Sequence, residues 1–187
     1  MKAAALAVAM LAAAPTGAPA GAQEHPLTTP TRDVDVTYRA GSGPQPVEQR
    51  SRYRAADQKV RLDTPTPGVY MIVDQRARSI AMVSDADHGV VEMPLRGAAG
   101  PAGVAPGQDF ARRGVDQVVG LACTEWETVD SLGQPTAACF TADGVLLRAR
   151  RGAQVFVIAS RVTYGPLDPQ LFTVPAGYAR TTARAGR

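Results

Sequence analysis

Apolar and polar residues alternate with a period of two along most of the chain, which is the pattern of half-buried β-strands. The first clear case is the run Val34–Tyr38, where Val34, Val36 and Tyr38 share one face. Turn residues separate this run from the runs that follow it. The pattern predicts strands over 34–38, 47–55, 58–63, 69–74, 79–85, 90–95, 115–129, 135–141, 145–150 and 154–164.

Helical signals are few and short. Residues 109–114 can make one helical turn, and residues 166–172 carry Asp168 as an N-cap followed by Pro169 at the first helical position. The glycine- and proline-rich stretch 97–107 predicts a long loop. Because helices do not alternate with the strands, the predicted fold class is mainly β, a curved antiparallel sheet around an apolar interior with one or two short helices.

The N-terminal residues resemble a secretory signal peptide. Lys2 precedes an apolar run over 3–14, which is too short to span a bilayer, and Ala20-Gly21-Ala22 matches an A-x-A cleavage site. The sequence therefore predicts export to the periplasm and a soluble mature protein. The predicted organisation is a signal peptide at 1–22, a flexible arm at 23–32, one β domain at 33–180 and a disordered tail at 181–187.

The two cysteines, Cys123 and Cys139, are expected to form a structural disulfide, since exported proteins oxidise such pairs. A hairpin folded about Ser131 would place them opposite each other. The alternative of a redox-active pair lacks the C-x-x-C spacing that lowers a thiol pKa.

Several sequence segments, taken in their order along the chain, resemble those of uncharacterised exported bacterial proteins related in fold to the periplasmic lipoprotein carrier LolA. These features are the segments 35–38, 69–74, 118–126 and 171–178, together with a hairpin rich in basic residues. The resemblance covers most of the predicted mature chain. It implies an open half-barrel of antiparallel strands with a hydrophobic concave face.

Two groups of residues are candidates for binding. The first is apolar and could line a core or a ligand cavity: Tyr70, Ile72, Trp126, Phe156 and Ile158. The second is a basic strand face that could contact anionic lipid headgroups or an acidic partner; a solvated outer face is the alternative. Its members are Arg50, Arg52, Arg54, Lys59 and Arg61.

Signals for catalysis, metals and cofactors are lacking in the sequence. His25 lies in the predicted arm and His88 in a turn, so a histidine-based triad has one realistic histidine and no G-x-S-x-G motif. Asp85 and Asp87 lack the glycine and glutamate that an EF-hand loop requires. The formal net charge is +3 with both signs interspersed, which argues against a nucleic-acid surface.

Two functions are compatible with this sequence. One is a non-enzymatic periplasmic protein that binds a lipid or another hydrophobic ligand. The alternative is a periplasmic interaction or envelope-assembly factor that has a filled core and uses an exposed sheet edge or the basic face on a protein partner.

Overall fold

A computed structural model describes residues 25–41, 43–96, 109–130 and 132–183. The predicted signal peptide, the predicted loop at 97–107 and residues 184–187 of the predicted tail lie outside the described residues, whereas residues 181–182 of that tail belong to the last strand. The described residues form one open sheet in the order β12-β6-β5-β4-β3-β2-β1-β11-β10-β9-β8-β7. The strands are β1 Val34–Ala40, β2 Val47–Arg54, β3 Lys59–Asp63, β4 Val69–Asp74, β5 Ser79–Ser84, β6 Gly89–Pro94, β7 Ala111–Val118, β8 Leu121–Val129, β9 Pro135–Phe140, β10 Leu146–Arg151, β11 Gln154–Tyr164 and β12 Ala179–Thr182.

The predicted fold class is confirmed: the chain is mainly β and its sheet is open rather than closed. Neighbouring strands pair antiparallel except at one edge, where β12 runs parallel to β6. The short helix predicted at 166–172 is a 3₁₀-helix that spans Pro169–Phe172. The Asp168 carboxylate caps it by accepting a hydrogen bond of 2.8 Å from the Gln170 N–H.

The predicted helical turn at 109–114 is wrong, because Ala111–Val118 is the edge strand β7. All of its residues except Val118 are exposed, so the strand carries no apolar alternation. The predicted strand 115–129 is likewise two strands, joined by a turn in which Val119 and Gly120 have φ of 45° and 78°. Two successive residues with positive φ form a tight hairpin turn. The turn is hard to predict because it lies within an apolar run.

Replacing Val119 with asparagine should stabilise the protein. A β-branched residue at positive φ is strained by about 1–2 kcal/mol, whereas asparagine tolerates this backbone and Asn-Gly favours the turn. We expect the free energy of unfolding of Val119→Asn to rise by about 1 kcal/mol in urea titrations. The control Val115→Asn, on the exposed strand β7, should give no gain; an equal gain there would contradict this explanation.

The disulfide joins Cys123 and Cys139 with a Cα–Cα distance of 5.4 Å, as predicted. The predicted register is wrong by two residues, because Cys139 lies opposite Glu125 and Trp126 lies opposite Ala138. The hairpin therefore folds about a point one residue later than Ser131. The bond joins positions that are diagonal across the β8–β9 ladder.

The two faces of the β1–β6 region have different surroundings. Val34, Val36, Tyr53 and their neighbours face an apolar cavity, and we call this the cavity face. The opposite face, which we call the covered face, is overlaid by the chain at 169–178. Val174 and Tyr178 pack there against a buried cluster whose members are Tyr70, Ile72, Val83 and Val90.

Candidate ligand cavity

An apolar cavity of about 350 Å³ lies against the first five strands of the sheet. Small-molecule sites commonly occupy about 300–1,000 Å³, so this volume falls at the lower end of that range. The wall is completed by residues 28–30, 95–96 and 144–146. The strand residues in the wall are Val34, Val36 and Tyr38 of β1, Ser51 and Tyr53 of β2, Val60 and Leu62 of β3, Met71 and Val73 of β4, and Ile80 of β5; Gln75 follows β4.

Cross-strand register brings these wall residues together. Val60 pairs with Val73, and Val73 pairs with Ile80 on the next strand. Leu62 pairs with Met71 one step further along. Opposed residues in antiparallel strands share a face with Cβ atoms roughly 5 Å apart, so the pairs form a continuous apolar surface.

The Tyr38 hydroxyl in the cavity wall already has a hydrogen-bond partner. Tyr38 Oη donates a hydrogen bond of 2.9 Å to the Leu146 carbonyl oxygen. Burial raises the pKa of Tyr38 well above its ordinary value, so the ring stays neutral at physiological pH. Burial likewise raises the pKa of Tyr53. Both rings contribute apolar area without adding charge.

Residues 25–33, which we call the N-terminal strap, form one wall of the cavity. The strap overlaps the predicted arm at 23–32. Thr31 N–H donates to the Asp143 carbonyl oxygen at 3.0 Å, and Arg32 Nε donates to the Asp143 carboxylate at 2.7 Å. The Arg32 guanidinium also lies 3.7 Å from the centroid of the Tyr164 ring. The strap is thus held to the β9–β10 turn and to the end of β11.

Asp143 is the anchor for the strap. Burial by itself would raise the pKa of Asp143, but hydrogen bonds from Thr141, Arg32 and Tyr164 outweigh it and the pKa is lowered. Tyr164 Oη donates to this carboxylate at 3.1 Å. The carboxylate therefore remains charged and keeps its arginine partner at neutral pH.

The five apolar candidates from the sequence do not line this cavity. Tyr70 and Ile72 point to the covered face, because strand neighbours alternate in direction and Met71 and Val73 face the cavity. Trp126 and Phe156 pack in a separate cluster with Phe140. Ile158 packs at the edge of the core cluster around β1 and borders a small surface recess beside Val155. A ligand role for these five residues stays a prediction.

The basic candidates lie together on the covered face, where carboxylates partner each of them. Arg52 pairs directly across from Arg61, and Arg54 across from Lys59. Most of their charge is therefore compensated locally. The ion pairs are Arg50 and Arg52 with Asp35, Arg52 and Arg61 with Asp63, Arg54 with Asp57, and Lys59 with Asp74.

Arg61 also holds the C-terminal segment in place. Its guanidinium lies 3.6 Å from the centroid of the Tyr70 ring, and its Nη1 donates to the Leu171 carbonyl at 3.2 Å. Burial lowers the pKa of the neighbouring Arg52, which has 8% of its surface exposed. These residues tie the sheet to the segment that covers it.

A second charged cluster lies on the same sheet face as the disulfide. Arg148 Nη2 donates to Asp116 at 2.6 Å and to Glu125 at 2.9 Å. A hydrogen bond from Arg150 is the main cause that lowers the pKa of Glu125. Because Cys123 pairs with Asp116 and Cys139 pairs with Glu125, these ion pairs share a sheet face with the two cysteines.

The described residues contain no group of three or more histidine, cysteine, aspartate or glutamate side chains placed to hold a metal ion. His88 sits in a turn at φ 45°, with its ring 5.2 Å from that of Tyr178. The His25 ring lies 6.4 Å from Phe110. Within the same part of the chain, no helix is long and apolar enough to cross a membrane.

Comparison with known proteins supports the fold. No protein-family model matches the chain, and neither does any curated protein. An uncharacterised conserved protein from Thermus thermophilus is similar with a TM-score of 0.58 and 12% identity, over 82% of this chain and 91% of that one. PNGF-II has a TM-score of 0.56 and 15% identity, over 82% of this chain but only 31% of PNGF-II.

A third similar structure is that of MucB in complex with MucA(peri), with a TM-score of 0.45 and 15% identity over 80% of this chain and 56% of that one. Its TM-score is too low to support an inference. The first two similarities establish a shared fold. At 12% and 15% identity, they do not support assigning the activity of either protein to this chain. The comparisons therefore support the open β-sheet fold and nothing finer.

The wall residues of β3, β4 and β5 are not among the site residues predicted from the sequence. The signal available was the run Val69–Val73, in which both alternating sets are apolar. Such a run indicates that both faces of a strand are covered, without saying what covers each face. The structure assigns Met71 and Val73 to the cavity and Tyr70 and Ile72 to the C-terminal segment.

Proposed function

We propose that this chain is a non-enzymatic, exported binding protein that holds a lipid or another hydrophobic ligand in the cavity beside β1–β5. The observation that carries the proposal is the apolar wall of that cavity, built from cross-paired strand residues. A volume of about 350 Å³ suits one acyl chain better than a bulky molecule with several chains.

The wall favours an apolar occupant over water. The Tyr38 hydroxyl is satisfied by the Leu146 carbonyl, and the facing side chains of Val60, Leu62 and Val73 offer water no partner. Ordered water needs two to four polar partners, whereas a hydrocarbon gains about 25 cal/mol for each Å² of apolar surface it buries. A bound ligand would also give the wall side chains dispersion contacts on the side where they face the cavity.

The disulfide supports the proposed site of action. Such bonds persist in oxidising compartments and are rare in the cytosol. Cys123 and Cys139 are both buried, with 3% and 0% of their surfaces exposed, so the pair serves structure rather than exchange with other thiols. We therefore propose that the protein acts in the periplasm, and the resemblance of residues 1–22 to a signal peptide supports the same location.

Filling the cavity should weaken ligand binding without unfolding the protein. Val60 lies in the cavity wall, so the larger ring of Val60→Phe would occupy space that the ligand needs. We expect the affinity for a fluorescent fatty-acid probe to fall at least tenfold, since one buried side-chain contact contributes about 1–3 kcal/mol. Fluorescence titration measures this effect, and circular dichroism verifies the fold.

The matched control is Val129→Phe, at a position 47% exposed on β8 and outside the cavity. This variant should bind the probe as the natural sequence does. Equal binding by the natural sequence, Val60→Phe and Val129→Phe would show that the probe binds elsewhere.

A different observation favours the second candidate, a protein-interaction or envelope-assembly factor. The edge strand β7 is exposed on both faces, and Val115 is 75% exposed. An open edge can pair with an extended segment of another chain. Native mass spectrometry with lipid extraction, on protein from its own periplasm, separates the two: copurifying lipid favours the first function, and a lipid-free protein bound to a partner favours the second.

A further inference from the structure

Among the described residues, a single charged side chain lines the cavity. Arg96 follows β6 and is exposed at the rim, next to Leu95. All other lining residues are apolar or uncharged. An arginine at the edge of an otherwise apolar cavity provides fixed positive charge where a ligand would meet solvent.

A second arginine lies near the same rim. Arg76 belongs to the β4–β5 turn, immediately after the lining residue Gln75. Its positive charge partly offsets the rise in the Tyr53 pKa that burial causes. Ser79 pairs with Pro94, so the β4–β5 turn and the residues that follow β6 meet at one end of the sheet.

The carboxylates of Asp33 and Asp143, near this end of the sheet, already have hydrogen-bond or ion-pair partners. Asp33 accepts hydrogen bonds from the N–H groups of Ala55 and Leu167, at 2.8 Å and 3.0 Å. Asp143 pairs with Arg32, as described for the strap. Within the described residues, neither Arg76 nor Arg96 forms an ion pair with a carboxylate. Among those residues, the rim therefore presents two cations with no intramolecular counter-ion.

We infer that the ligand is a single-chain amphiphile with an anionic headgroup, whose chain lies against the cavity face and whose headgroup lies at Arg96 and Arg76. This inference rests on the proposed function and specifies the ligand class. The apolar wall holds the chain, and the two guanidinium groups bind a carboxylate or a phosphate, for which arginine geometry is well suited. A fatty acid and a lysophospholipid share this chemistry.

The test compares two fluorescent probes that differ only in charge, 11-(dansylamino)undecanoic acid and its methyl ester. On the natural sequence the acid should bind more tightly than the ester. Arg96→Gln should weaken the acid about threefold, and the double variant Arg76→Gln/Arg96→Gln roughly tenfold, since exposed ion pairs are individually weak and each headgroup contact adds a charge-assisted hydrogen bond. Affinity for the ester should not change.

The matched control is Arg112→Gln, an exposed arginine on β7 that does not line the cavity. It should leave the affinities of both probes unchanged. The preference for the acid should also fade in 1 M salt, where the screening length is about 3 Å. Competition by palmitic acid and by palmitoyl lysophosphatidylglycerol then distinguishes a carboxylate headgroup from a phosphate headgroup.

Two results overturn the inference in different ways. If the acid and the ester bind equally and the arginine variants change neither, the headgroup assignment is wrong while the apolar binding function stands. If neither probe binds any folded variant, the proposed function itself fails.

Discussion

Removing the disulfide should lower the free energy of unfolding by about 3 kcal/mol. Cys123 and Cys139 are 16 residues apart in sequence, and the bond limits the conformations of that loop in the unfolded chain. For a protein of this size the melting temperature should fall by roughly 6–12 °C. The double variant Cys123→Ala/Cys139→Ala tests this by urea and thermal unfolding, and alanine avoids burying a new hydroxyl.

The oxidised protein should show no free thiol when it is denatured without a reductant. The natural sequence unfolded in reductant is the matched control, and its stability should approach that of the double variant. Two free thiols, or a double variant as stable as the oxidised protein, would contradict the proposed role of the bond. Ligand binding should survive in the folded double variant, because neither cysteine lines the cavity.

Replacing Gly144 with alanine should detach the N-terminal strap. A Cβ atom at Gly144 would lie 2.3 Å from the Thr29 carbonyl oxygen, and the φ of 90° already disfavours any L side chain. The positive φ alone costs about 1–2 kcal/mol, and the clash with the backbone of the strap adds to it. We expect a total loss of at least about 2 kcal/mol in urea titrations, with faster trypsin cleavage after Arg32.

Gly120→Ala separates the two contributions. Gly120 has φ of 78°, but a Cβ atom there would meet nothing within 4 Å. This variant should lose only the backbone contribution, and its cleavage after Arg32 should be unchanged. Equal losses in the two variants, with no added cleavage after Arg32 in Gly144→Ala, would show that the strap does not depend on the close approach at Gly144.

The sequence predicts the β2–β3 hairpin well, and the reason is local. Arg50, Arg52 and Arg54 alternate on one face while Ser51 and Tyr53 occupy the other, so a period of two is plain. The turn between the strands contains the polar residues that such turns favour. The 3₁₀-helix is equally local, because the Asp168-Pro169 pair sets both its cap and its first turn.

Features that depend on distant parts of the chain were missed. The first half of strand β7 was mistaken for a helical turn, because an exposed edge strand carries no apolar alternation. The predicted β8–β9 register was wrong by two residues. The equal spacing of the two cysteines from Ser131 does not determine which residues form the turn. The local sequence pattern predicts whether a segment is a strand or a helix better than it predicts which other segments pair with it.

The location of the cavity could not be read from the sequence for a related reason. In β4 both alternating sets are apolar, and Tyr70 looks like a better ligand contact than Val73. Tyr70 is buried because Arg61 stacks on its ring and the segment at 169–178 covers it. That segment lies about 100 residues along the chain, so the choice between the two faces is made by tertiary packing.

Photolabelling tests the central claim most directly. A fatty acid that carries a diazirine along its acyl chain would be bound to the folded protein, irradiated and located by peptide mass spectrometry. We predict adducts on the cavity face, at Leu62, Met71 and Val73, with labelling that palmitic acid competes away. Labelling confined to Trp126, Phe156 or the covered face, or labelling that no competitor reduces, would contradict the assignment of this cavity as the binding site.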